Sequence, residues 1–135
     1  MGLAQDLFSR ETVTDAIGLL SMQWEDLPDF YRKYDSSVNK DNFVKRFHYW
    51  ALMDSMGTLL MMGLIDKELV YHLLGGYFTT WQWQKFKPII MHQREYQNLK
   101  ELGVGWEYLV NEMIKMREER GYTENWRDDP GIQLE

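Results

Sequence analysis

At 135 residues the chain falls in the range of a single domain, and 44% apolar residues with 15% aromatics supply enough material for a core. A formal charge of −6, with both signs dispersed, leaves no basic stripe to neutralise a phosphate backbone and argues against nucleic acid as a partner. The absence of cysteine removes disulfide frameworks, thiolate metal sites and cysteine nucleophiles, and it fits a reducing, cytoplasmic setting.

Residues Met1 to Phe8 lack a basic stretch followed by an apolar run, so no signal peptide is expected. Ser9 has the chemistry of a helix N-cap, with Phe8 and Val13 spaced as a hydrophobic staple across it. Val13, Ala16, Ile17 and Leu20 then read as the inward face of a first helix. A second, shorter helix is predicted over Asp26 to Tyr34, tolerating Pro28 in its first turn and turning Trp24, Leu27, Tyr31 and Tyr34 inward. The polar run Asp35 to Lys40 is its exit loop.

From about Asp41 to Met62 apolar residues occupy nearly every side of a helix, which predicts a central helix surrounded by others. The stretch Tyr49 to Ile65 is slightly short for a membrane span and carries Asp54 near its middle, so it reads as a core segment rather than a transmembrane one. Gly63 supplies a left-handed stop. Asp66 caps a short helix carrying Leu69, Val70, Leu73 and Leu74, which ends at Gly75-Gly76. Thr79 and Gln82 have capping-box spacing and open a longer helix to about Lys100, which Pro88 should kink by removing an amide donor to the Gln84 carbonyl. A last helix begins near Gly105, where Trp106, Leu109, Val110, Met113 and Ile114 repeat with helical period. The expected organisation is one helical domain over 1–121 and a polar tail over 122–135 that frays, with Trp126 as its docking residue. Leu134-Glu135 resembles a cloning remnant and enters no functional argument.

The segment Gly63-Leu64-Ile65-Asp66, then Leu69-Val70-Tyr71, then Trp83 with Lys87-Pro88-Ile89-Ile90 and Arg94, resembles an uncharacterised family of small prokaryotic helical proteins, classed as a domain of unknown function. The resemblance covers about the middle half of the chain and rests on loose motifs. It implies a helical fold and supplies no catalytic residue. Some members of that family carry an added apolar anchoring helix that has no counterpart here.

Chemistry-bearing patterns are sparse. His48, His72 and His92 fall on different predicted helices, and neither His-Glu-x-x-His nor paired Glu-x-x-His motifs accompany them, so no metal and no cofactor is expected. There is no Gly-x-Ser-x-Gly elbow and no glycine-rich phosphate loop, and no catalytic residue is assigned. Asp54 is the polar oddity of the most apolar helix, and a buried carboxylate needs a partner. Arg94 is the candidate singled out, as a buried ion pair with it, and Lys87 and the Trp50 indole are its competitors. Trp81 and Trp83, two residues apart, should not share a helix face, so either one of them lies outside the core as an interface residue or the pair is simply partly buried in it. With Phe86 and Met91 they are the expected interface or ligand residues.

The expected fold is therefore all-α, a compact bundle of five to six helices around the 41–62 helix. The expected function is a non-catalytic interaction or regulatory module that binds protein, or itself as a homodimer. The alternative is a binder of a small apolar ligand or cofactor, with its pocket between the central helix and the Trp81 to Glu95 helix. An enzyme using Asp54 and Arg94 is a third reading, without an accompanying base, nucleophile or phosphate site.

Overall fold

The computed structural model describes residues 9–74 and 77–122, apart from the side chains of residues 74 and 77–79. Among the described residues there are six helices and no strand. They are α1 (Arg10–Leu20), α2 (Leu27–Tyr34), α3 (Lys40–Met61), α4 (Lys67–Leu74), α5 (Tyr77–Tyr96) and α6 (Val104–Glu119). Backbone contacts group the described chain into two compact units, with the boundary inside α3 between Leu52 and Met53. No described helix is long and apolar enough to cross a membrane. Phe8, the Gly75-Gly76 stop and the tail from residue 123 with Trp126 lie outside the described residues, whereas α5 already begins at Tyr77, so Thr79 lies within the helix rather than at the expected cap position.

In the first unit, α1 starts where its cap chemistry places it: the Ser9 hydroxyl oxygen accepts the Thr12 amide at 3.1 Å. The buried face is Thr12, Ala16, Leu19 and Leu20. The helix is thus rotated from the expected face, and Val13 and Ile17 stand 45% and 59% exposed. Thr12 tolerates burial because its hydroxyl oxygen accepts from the Ser9 hydroxyl at 2.9 Å. Asp26 caps α2 through the Asp29 amide at 2.8 Å. The residue that anchors α2 is Phe30, fully buried and ringed by Trp24, Tyr31 and Tyr34 at centroid distances of 5.1, 5.2 and 5.6 Å. Those three, expected inward, are half-buried around it.

In the second unit α5 packs along α6, and α3 approaches α6 closely at one point. Gly57 and Gly105 meet backbone to backbone: a Cβ built on Gly57 would fall 1.6 Å from the Gly105 carbonyl oxygen. Trp83 of α5 meets Trp106 of α6 edge to face at 5.2 Å, and both are buried. Gly103, in the left-handed region at φ +71°, closes the α5 to α6 turn against the Trp83 ring. Gly63, at φ +73°, follows α3 in the expected stop conformation. Pro88 is accommodated inside α5, which runs on to Tyr96.

Candidate functional site

Asp54 and Arg94 do not pair with each other. Asp54 Oδ1 accepts the Gly105 and Trp106 amides at 2.8 and 3.1 Å. The N-cap position of α6 is Gly103, which has no side chain to offer, so a carboxylate from another helix takes two of the orphan donors of the first turn. Arg94 donates through Nε to the Leu102 carbonyl at 2.6 Å and through Nη1 to Glu107 at 3.1 Å. Its Nη2 is buried without a hydrogen-bond partner. The expected ion pair is thus corrected to two separate ties, both of which end at the start of α6. Backbone amides satisfied the carboxylate where a cation was expected.

Both tryptophans of the 81/83 pair are buried, at 8% and 4% exposure, and Phe86 is fully buried. The argument from spacing assumes one buried face. Residues 80 to 83 of α5 are all buried in succession, so this stretch of helix is covered on every side. Met91 is half-buried, with its sulfur 3.7 Å from Arg94 Nη1. These four residues build core rather than an open contact surface. A groove of about 260 Å³ does adjoin α5, between it and α6. Thr80, Gln84, Lys87, Asn111, Lys115 and Glu118 make most of its lining polar, unlike a pocket for a flat apolar ligand.

An apolar surface lies on the first half of α3 instead, and a second group of exposed apolar residues, Met61, Met62, Leu64 and Leu69, begins at the end of that helix. Phe43, Val44 and Phe47 are 38%, 54% and 67% exposed, and Ala51 continues their stripe one turn on. The expectation that this helix is surrounded holds for Tyr49, Leu52 and Met53, which are buried, and not for this face. The stripe carries no charge. Its support is Arg46, which is only 4% exposed and projects from the same helix. Arg46 Nη2 donates to the Tyr34 carbonyl at the end of α2 at 2.6 Å, and its Nε donates to Asn42 Oδ1 at 2.9 Å. The guanidinium lies 5.0 Å from the Phe30 ring centroid, 5.5 Å from Phe43 and 5.7 Å from Trp50. Burial pulls its pKa below the ordinary arginine value, against the opposing influence of Tyr31 and Asp35. Phe43 is therefore held from behind by a fixed cation, and its ring sits 6.2 Å from that of Phe47.

The histidines are dispersed. His48 meets Asp15 at 3.3 Å, His72 meets Glu68 at 3.6 Å, and His92 packs near the Tyr96 ring. Among the described residues no three His, Asp or Glu side chains gather as a metal site. Lys85 of α5 is half-buried, and burial lowers its pKa to about 8. Sequence reasoning passed over Arg46, although a charged residue in an apolar helix was the signal that singled out Asp54. It also passed over Gly57 and Gly105, where a glycine in a helix interior signals close backbone approach. Comparison with known proteins finds no family model, no curated protein and no solved structure that matches this chain.

Proposed function

We propose that the chain is a non-catalytic helical interaction module that associates with a second copy of itself through the apolar face of α3. The observation that carries this reading is the exposure of Phe43, Val44 and Phe47 side by side on one uncharged stripe. Large apolar side chains gathered in this way mark contact surfaces, and aromatic anchors dominate their energetics. The cation behind Phe43 supports the same reading, because a ring already fixed loses little conformational freedom on docking. A cytoplasmic setting belongs to the proposal and is supported by the absence of cysteine. Nucleic acid is not the proposed partner, given the charge of −6.

Light scattering of wild type, Phe47→Glu and Ile17→Glu tests the reading. Ile17 is a comparably exposed apolar residue on α1 and controls for general surface hydrophobicity. Wild type and Ile17→Glu should show mass above the monomer, and Phe47→Glu should be monomeric. A monomeric wild type at high concentration, or an unchanged mass in Phe47→Glu, would overturn it.

A further inference from the structure

We infer that the groove between α5 and α6 binds a small zwitterion, with its carboxylate at the Lys87 end and its ammonium at Glu118. The groove lies wholly within the second unit, so its test is independent of self-association. The two helices run antiparallel, since Arg94 near the end of α5 bonds Leu102 and Glu107 around the start of α6. Each contributes a polar row at steps of four and then three residues, which keeps the row on one helix face. Thr80, Gln84 and Lys87 form the row of α5, and Asn111, Lys115 and Glu118 form that of α6. The antiparallel course sets Lys87 at the same end as Asn111, Gln84 level with Lys115, and Thr80 at the same end as Glu118. Buried Trp83 and Val110 and half-buried Ile114 line the groove between the two rows.

The charges of the groove are separated along its length. Lys87 is exposed, and Lys115 meets its nearest carboxylate, Glu112, only at 3.8 Å, so both ammonium groups can turn to an anion in the groove. The side-chain amides of Gln84 and Asn111 add neutral donors beside them. At the far end stands the Glu118 carboxylate. A carboxylate offers about four acceptor positions, so Glu118 can take an ammonium in addition to the contact it already makes. From Thr80 to Lys87 the helix rises about 10 Å, and Trp83, Val110 and Ile114 give a short methylene chain an apolar floor over that span. A volume of about 260 Å³ lies just under the range of drug-sized pockets and suits a small molecule. Charge selects among such molecules: a dianion would meet Glu118 with like charge, and a diamine would meet Lys87 and Lys115. A molecule with a carboxylate at one end and an ammonium at the other satisfies both.

The probe is ε-aminocaproate, whose terminal charges are held apart by an unbranched methylene chain, with caproate and hexylammonium as single-charge controls. The side-chain amides of Gln84 and Asn111 give their own signals in the NMR spectrum of isotope-labelled protein and report occupancy. Asn42, whose side-chain oxygen is taken by Arg46, is the reference amide in the first unit. The expected result is a saturable shift of the Gln84 and Asn111 amides by ε-aminocaproate, with an affinity at least about tenfold above that of either control. Lys87 and Glu118 are exposed, so both can be replaced without disturbing the core, and the dispersion of the remaining amide signals checks the fold. Lys87→Gln should weaken ε-aminocaproate and caproate and leave hexylammonium unchanged. Glu118→Gln should weaken ε-aminocaproate and hexylammonium and leave caproate unchanged. Shifts that do not saturate, or that are no larger at Gln84 and Asn111 than at Asn42, would overturn the site. Caproate binding as tightly as ε-aminocaproate, or a Glu118→Gln variant with wild-type affinity, would overturn the zwitterion as its ligand.

Discussion

Asp54 and Gly105, 51 positions apart in sequence, are joined by a 2.8 Å hydrogen bond in which a side chain of α3 caps the backbone of α6. The Trp106 amide shares the same oxygen. Asp54→Ala should therefore behave like removal of an N-cap and cost about 1–2 kcal/mol of stability. Asp54→Asn keeps an acceptor oxygen and loses only the favourable charge at the helix start, so its cost should be the smaller of the two, about 0.5 kcal/mol. Denaturant unfolding of both variants checks the order. Equal losses would mean that the charge, rather than the capping bond, is what matters there.

The cap works because Gly57 and Gly105 let the two backbones touch. A Cβ on Gly105 would lie 2.3 Å from the Asp54 carbonyl oxygen, so neither glycine accepts a methyl without parting the helices. Gly57→Ala and Gly105→Ala should each cost more than about 3 kcal/mol, well above an ordinary surface substitution. Gly18, inside α1, has nothing within 4 Å of its would-be Cβ. Gly18→Ala should raise stability by about 0.5–1 kcal/mol, which gives a matched control for the same chemical change. Thermal unfolding of the three variants is the measurement.

Arg46 performs the opposite service in the first unit, offering a cation to the C-terminal carbonyl of α2. Arg46→Met keeps much of the apolar stem but abandons the Tyr34 carbonyl and the three rings, and should cost about 2–3 kcal/mol. Arg46→Lys should recover only part of that loss. A point ammonium cannot bond Asn42 and Tyr34 in one plane while stacking on Phe43. Unfolding curves for the pair would show full recovery by Lys if charge alone were at work.

Lys85 gives a dependence on pH. Its folded pKa, about 8, lies below the ordinary value of 10.5, so between those limits the unfolded chain holds more protons than the folded one. The contribution of this group to stability therefore rises as pH increases from about 8 to about 10.5. Lys85→Met removes the buried charge and should be more stable than wild type at pH 7, with the difference shrinking toward pH 10. A difference that stays constant over that range, measured by unfolding midpoints, would contradict the buried-charge account.

What the sequence revealed, and what it hid, divides by the range of the interaction. Ser9, Asp26 and Gly63 act on their own neighbours in the chain, and each ends or begins a helix as its local chemistry predicts. The need of Asp54 for a partner was equally legible, because it follows from one carboxylate in an apolar helix. The identity of the partner was not, since backbone amides leave no mark of side-chain type. The trace they did leave was a helix beginning at Gly103-Val104-Gly105 with no capping side chain of its own. Trp81 and Trp83 misled because helical periodicity assigns one inward face, whereas residues 80–83 are buried on all sides. In α3 the apolar pattern is nearly continuous, so nothing local distinguishes the covered Tyr49, Leu52 and Met53 from the open Phe43 and Phe47.

Sedimentation velocity of the wild-type chain over a hundredfold range of concentration tests the proposed function most directly, since it needs no substitution and no label. Association of two copies through α3 predicts a single boundary whose sedimentation coefficient climbs from the monomer value toward that of a dimer and then levels off. A coefficient that stays at the monomer value throughout, or one that keeps climbing past the dimer, would contradict it.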